Sequence, residues 1–248
     1  MKAAFISERG IRLEMEDTHY LNTNFGNQGW FFGGVYDGHG GKYAATFVSE
    51  RLHILFLKKL LSSQFPQQAF VESYEEISFV LRQQESGTTA VNFFIRNGLI
   101  FTANAGDARA ILISENSVFQ LSTDHRLDNI EERQRIEKMG GIINYPYAIR
   151  GNSGLMPTRT IGDPYFKPIG IIATPSVSEY IIRNSDLMLV AACDGLFDVM
   201  NNEKIAEFAL YNTEPVSLLE ALKKEVLFKR QGTDNLTIIA VKLSEDNV

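Results

Sequence analysis

One cysteine, Cys193, stands among 248 residues, so the chain can form no internal disulfide, and no Cys/His spacing suggests a zinc site. Basic excess is missing too: 24 Lys and Arg face 30 Asp and Glu, a net charge of −6. That balance supplies no positive field to gather nucleic acid or anionic lipid. The longest apolar run, Leu187 to Cys193, falls far short of the roughly 20 residues of a spanning helix. The residues from Met1 to Arg9 meet charge before any long apolar stretch, unlike a secretory signal. These absences predict an intracellular protein, cytoplasmic or nuclear, that engages neither membrane nor nucleic acid. No Gly/Ser or Pro tract and no internal repeat divides the chain, so residues 1–248 read as a single domain. With 44% apolar residues it can bury a substantial core.

Trp30 to Tyr36 reads as a strand running into a turn at Asp37-Gly38. Helical spacing follows over Lys42 to Leu61 and again over Phe65 to Gln84, with Pro66 in the first turn of the second helix. Asn97-Gly98 between two β-rich runs predicts a hairpin, and Ala108 to Ser114 and Ser117 to Leu121 continue the meander. Asp128 with Glu131 reads as a capping box for a short helix ending at Gly140-Gly141. Pro146, Pro157, Pro164 and Pro168 predict a long irregular segment over residues 142–172. Leu187 to Ala192 reads as a buried strand, Asn202 to Tyr211 and Pro215 to Arg230 as helices, and Asn235 to Leu243 as the last strand. The pattern implies a layered α/β (α+β) fold, two antiparallel sheets with helical pairs outside.

Asp37, Asp194 and Asp234 each stand where a strand-like run meets a turn. Singly this is ordinary turn chemistry. Brought together, such carboxylates repel unless cations neutralise them. A fourth acid comes from Arg12-Leu13-Glu14-Met15-Glu16-Asp17, where alternation on a short strand would put Glu14 and Glu16 on one face and Asp17 on the other. Alternation leaves open which acid faces a metal. Taken with Glu16, the three aspartates carry the charge that two divalent cations cancel, and an all-oxygen donor set favours Mg²⁺ or Mn²⁺. Cys193 has an acidic neighbour and no arginine completing a phosphate cradle, which disfavours a thiolate nucleophile. Gly40-Gly41-Lys42 is no P-loop, because Tyr36 and Tyr43 occupy positions that need Gly and Ser or Thr.

Seven segments in order, Arg12–Asp17, Val35–Gly41, Gly87–Ala90, Asn104–Arg109, Arg159–Asp163, Cys193–Met200 and Asp234-Asn235, resemble the motifs of the metal-dependent serine/threonine protein phosphatases, the PPM or type 2C family. The resemblance implies a β-sandwich with helical pairs on both outer faces. It implies that Asp37 bridges two metal ions, that Glu16 and the Gly38 carbonyl complete one, and that Asp194 and Asp234 hold the other. Asp107, Asp194 and Asp198 would form a weaker third-metal site. Arg12 would hold the substrate phosphate, and His39 would act as general acid. The implied reaction is hydrolysis of phosphoserine and phosphothreonine on proteins by water activated between two Mg²⁺ or Mn²⁺ ions, with no phosphoenzyme. A monomer meeting phosphorylated protein substrates is expected.

Plainer roles stand beside these. Arg12 alone reads as a surface charge paired with Glu14 or Glu16, and Asp163 as a loop cap with Arg159 as ion-pair partner. Asp17 either orients solvent beside the metals or bonds only locally. His19, His53 and His125 lack ligand spacing and read as core or surface residues. Ala108, Leu127 and Met156-Pro157-Thr158 depart from the family pattern, in or near the segment that forms its variable flap, so they bear on substrate choice. Two rival readings are a catalytically silent relative that binds a partner over the same surface and a two-metal nuclease. The retained acids with Arg12 and His39 oppose the first, and the lack of a basic track opposes the second.

Overall fold

The computed structural model describes residues 1–243. One antiparallel sheet orders its strands Lys2–Glu8, Leu236–Lys242, Asp186–Ala192, Arg109–Ser114 and Ser117–Gln120. The other runs Ser176–Ile181, Leu99–Ala105, Ala90–Arg96, Trp30–Tyr36 and Thr18–Phe25. The α-helices are α1 (Tyr43–Ser63), α2 (Pro66–Val80), α3 (Ile130–Lys138), α4 (Asp194–Phe197), α5 (Asn202–Tyr211) and α6 (Pro215–Lys224).

Strand periodicity of two sorts the apolar side chains into layers. Val35, Phe93 and Ile95 of the second sheet meet Leu112, Leu189 and Ile239 of the first between the sheets. Their neighbours Phe32, Phe94 and Phe101 face α1 and α2, where the rings of Phe56 and Phe70 pack tilted at 4.2 Å. On the far side Ile111, Val190 and Ile238 pack against Ile205 of α5 and Leu218 and Leu222 of α6. Both faces of each sheet are covered, giving the expected sandwich with helices outside. Asn97 and Gly98, both at positive φ, make the predicted hairpin turn. No helix among the described residues is long and apolar enough to cross a membrane.

Three expectations change. The Asn129 side chain, not Asp128, caps α3, accepting from the amides of Glu131 and Glu132, while Asp128 accepts from the Tyr145 hydroxyl at 2.7 Å. The helix opened by Pro215 ends at Lys224 and continues as a single π turn, Glu225–Lys229. The segment over residues 142–172 is not irregular throughout. Ile142–Asn144, Tyr147–Arg150 and Ser153–Leu155 form a small antiparallel sheet, and its prolines fall between or beyond those strands, where no ladder donor is lost. Ala148 and Leu155 of this sheet share a satellite core with Leu127, Ile136, Phe166 and Ile169.

Glu132 fastens that satellite to the body. Its buried carboxylate accepts from Arg135 at 2.5 Å, Arg159 at 2.7 Å and the Thr158 hydroxyl at 2.7 Å. Burial alone would raise this carboxyl, but hydrogen bonds from Arg135, Arg159 and Thr158 outweigh it and hold it at about 2. A depressed carboxylate contributes stability above its unfolded value, and that contribution disappears as pH falls towards the folded value. Glu132→Ala should lower unfolding free energy by about 3–5 kcal/mol at pH 7. Urea unfolding curves should show the gap to wild type closing as pH drops from the ordinary carboxylate range towards 2.

Candidate active site

Strand ends of both sheets meet at one rim. Asp37, Asp107 and Asp194 each lie one or two residues beyond a strand end, and Asp234 just ahead of a strand start. The register explains the meeting. Ala192 pairs with Ile238 and Glu8 with Leu236, so the chain leaves towards Arg12 and Glu16 where Asp194 and Asp234 stand. In the second sheet Val35 pairs with Val91, and Ala90 with Ala105, which carries Asp37 and Asp107 to the same end. Arg12, Glu16, Asp37, Gly38, His39, Asp107, Asp194 and Asp234 consequently line one cleft of about 530 Å³. Asp198 does not line it.

Residues 9–17 form a loop, not the short strand that alternation allowed. Asn235 shapes it: the side-chain oxygen accepts from the Glu16 amide at 2.9 Å, and the side-chain nitrogen donates to the carbonyls of Arg9 and Glu14 at 2.8 and 3.1 Å. These bonds stand in for a strand ladder. Arg12 donates to Asp234 at 2.6 Å and to the Thr233 carbonyl at 3.3 Å, so its partner is neither Glu14 nor Glu16. The Glu16 carboxylate accepts from the Gly41 amide at 2.6 Å. Gly38 lies so near that a Cβ there would stand 2.5 Å from the Glu16 carbonyl oxygen.

Beneath the cleft, Asp17 is 5% exposed and one carboxylate oxygen has no hydrogen-bond partner. Burial raises its carboxyl to about 6 against the hydrogen bonds of Thr237 and Cys193. It interacts with Asp37 and Asp234 as well, beyond purely local bonding. Burial, then the charges of Asp194, Asp17 and Asp107, lifts Asp37 well above the carboxylate range. Asp194 rises to about 7 by burial, then by repulsion from Asp107 and Asp198. Cys193 is buried and its thiol is pushed up by burial and by Asp17, Asp37 and Asp194, so it is no nucleophile.

His39 is placed by very short strands. Gly38–His39 pairs with Gly87–Thr88, which pairs on its other edge with Ile161–Gly162. His39 lies opposite Gly87 and Gly87 opposite Gly162, so Asp163, next in the chain, reaches the ring: Nε2 and Oδ2 are 2.7 Å apart. A Cβ on Gly87 would stand 1.9 Å from the Asp163 carboxylate. Asp163 therefore serves His39, and the expected Asp163–Arg159 pair does not form because Arg159 is committed to Glu132. Burial lowers the His39 pKa, but the charge and hydrogen bond of Asp163 outweigh it and the net shift is upward.

Tyr147, Leu155, Met156 and Pro157 of the small-sheet segment form the facing wall of the cleft. The sequence singled out Met156 and Pro157 as departures near the flap, but sequence reading missed Tyr147 and Leu155, the loop-holding role of Asn235 and the service of Asp163 to His39. Asn235 and Asp163 each left a signal as a member of an ordered motif, Asp234-Asn235 and Arg159–Asp163. His125 is buried, with its ring on Gly106 and Ser176, and His53 stacks on Tyr20 at 3.7 Å, so neither is a ligand.

Comparison with known proteins gives these positions a context. The family model described as Protein phosphatase 2C matches residues 1–233. The chain belongs to the protein phosphatase 2C family. It is 32% identical over 253 residues to the Oryza sativa subsp. japonica "Probable protein phosphatase 2C member 13, mitochondrial", covering 99% of this chain and 69% of that protein. Identity is 34% over 249 residues to "Protein phosphatase 2C homolog 1" of Schizosaccharomyces pombe, covering 95% of this chain and 70% of the relative. The crystal structure of serine-threonine phosphatase 2C from Toxoplasma gondii shares the fold, with TM-score 0.83, 23% identity and coverage of 97% of this chain and 94% of that one. As a protein phosphatase 2C, the chain is a metal-dependent phosphatase.

Divalent cations suit the donor chemistry of this phosphatase 2C cleft. Its carboxylates are oxygen ligands, and the carboxyls of Asp37 and Asp194 are raised first by burial and then by the charge of neighbouring acids, which a bound cation would offset. Among the described residues no three His, Cys, Asp or Glu side chains close on a single point. Asp234 is turned to Arg12, Glu16 to the Gly41 amide, and Asp107 to Arg126.

Proposed function

We propose that this phosphatase hydrolyses phosphoserine and phosphothreonine in proteins by direct attack of solvent, without a phosphoenzyme. One observation supports the reading above others: Arg12, Glu16, Asp37, His39, Asp194 and Asp234, from separate segments, line the same cleft. Glu16, Asp37 and the Gly38 carbonyl would hold one divalent ion, and Asp37, Asp194 and Asp234 the other. When bound, such ions supply Lewis acidity that offsets phosphoryl charge and makes solvent nucleophilic near neutral pH.

The side chains do the rest. Arg12 is half-exposed at the mouth and already grips one carboxylate, so its guanidinium can transfer to the phosphoryl oxygens and orient them. His39 has Nε2 engaged by Asp163, which leaves Nδ1 to give its proton to the departing seryl or threonyl oxygen. Asp163 is a positioning residue: it fixes the ring and stabilises the imidazolium. The wall of Tyr147, Leu155 and Met156 gives the peptide flanking the phosphoresidue an apolar surface to pack on.

Purified protein should release phosphate from a phosphothreonine peptide with Mn²⁺ or Mg²⁺, stop on addition of EDTA, and leave single-stranded DNA intact. Asp37→Asn should abolish turnover, and wild-type rates in that variant would remove Asp37 from the centre. His39→Ala should cost about 10²–10⁴-fold on phosphothreonine, where the leaving group needs a proton, and far less on an aryl phosphate. Asp163→Asn should show the same leaving-group bias at smaller size, in kcat and not KM; equal losses on both substrates would reject the dyad.

A further inference from the structure

The trio that resemblance assigns to a third metal already contains a cation. Arg126 Nε donates to Asp107 Oδ2 at 2.8 Å, and its terminal nitrogen lies 2.9 Å from Asp198 Oδ1 and 3.4 Å from Asp194 Oδ2. Asp107 is only 3% exposed, and a buried carboxylate of that kind requires a partner. Arg126 is that partner, with a planar guanidinium whose several donors reach all three acids and which keeps its proton at any physiological pH.

The backbone launching Arg126 is pinned. The amide of His125 donates to the Gly106 carbonyl at 2.9 Å, and its carbonyl accepts from the Thr158 amide at 2.8 Å. The His125 ring lies 2.6 Å from the Ser176 hydroxyl through Nε2. Arg126 is thus anchored beside the Gly106–Asp107 turn it neutralises. A divalent ion in this trio would compete for the same carboxylate oxygens and face a fixed like charge at contact distance. The residues present do not fit a third metal.

We infer that Arg126 is the built-in counter-cation of Asp107, Asp194 and Asp198, so this chain takes two divalent ions and excludes a third. The inference rests on the two-ion reading of the Asp37 centre.

Mn²⁺ titration of the full chain, followed by the electron paramagnetic resonance signal of free Mn²⁺, counts bound ions without using activity. Wild type should bind two ions, Asp198→Asn should still bind two, and Arg126→Lys, which keeps the charge, should bind two. Arg126→Gln should admit a third, weaker ion, and its absence there would overturn the inference. Three ions in wild type, falling to two in Asp198→Asn, would overturn the inference alone and leave the two-ion reading standing. That comparison needs no substitution at Arg126, so it decides the matter even where Arg126→Gln does not fold. Fewer than two ions in wild type would overturn the two-ion reading and the inference with it.

Discussion

Confinement of like charge governs this molecule. Asp17, Asp37, Asp107 and Asp194 are held close together at one rim of a sandwich, and their carboxyls rise together through burial and mutual repulsion. Such a cluster persists because the strands that lead into and out of it are locked in apolar layers. The cost of gathering the acids is met by thoroughly buried Phe, Ile, Val and Leu residues far from the cleft. Stored repulsion of this kind is what gives a carboxylate centre its appetite for divalent cations.

Positive charge is distributed around the cluster in three different ways. Arg12 is half-exposed at the mouth of the cleft and held by the Asp234 carboxylate, which suits the phosphate-binding role proposed for it. Arg126 follows a backbone pinned through both the amide and the carbonyl of His125, and its guanidinium lies among Asp107, Asp194 and Asp198. Arg159 does not line the cleft and ties Glu132 of α3 to the chain that runs on to Asp163. Exposure and anchoring, not residue type, separate the three roles.

The approach to the site depends on close backbone contacts. Gly87 lets two very short strands flank it while the Asp163 carboxylate packs where a Cβ would be, and this carries His39 and Asp163 together from 124 positions apart. The same segment leads back through Arg159 and Thr158 to Glu132, so the wall of the cleft and the histidine dyad share one support.

Much of the fold was legible because its signals are local. Asn97-Gly98 needs two positive φ angles, Pro66 and Pro215 open helices at their first turn, and alternating Phe and Val mark strands buried on both faces. Local signals failed where competition between neighbours decides: Asn129 outcompetes Asp128 for the cap, Asn235 replaces a ladder over residues 9–17, and short strands form between the prolines of residues 142–172. The order of chemistry-bearing residues along the chain was enough to identify the family and the acids that gather at the cleft. By itself the sequence determined residue types, periodicities and the net negative charge. Only the tertiary structure decided which acid each arginine neutralises, that His39 leans on Asp163, and that a guanidinium sits among Asp107, Asp194 and Asp198. Those pairings join residues from distant strands, and an ion pair depends on distances of a few ångströms that spacing along a chain does not encode.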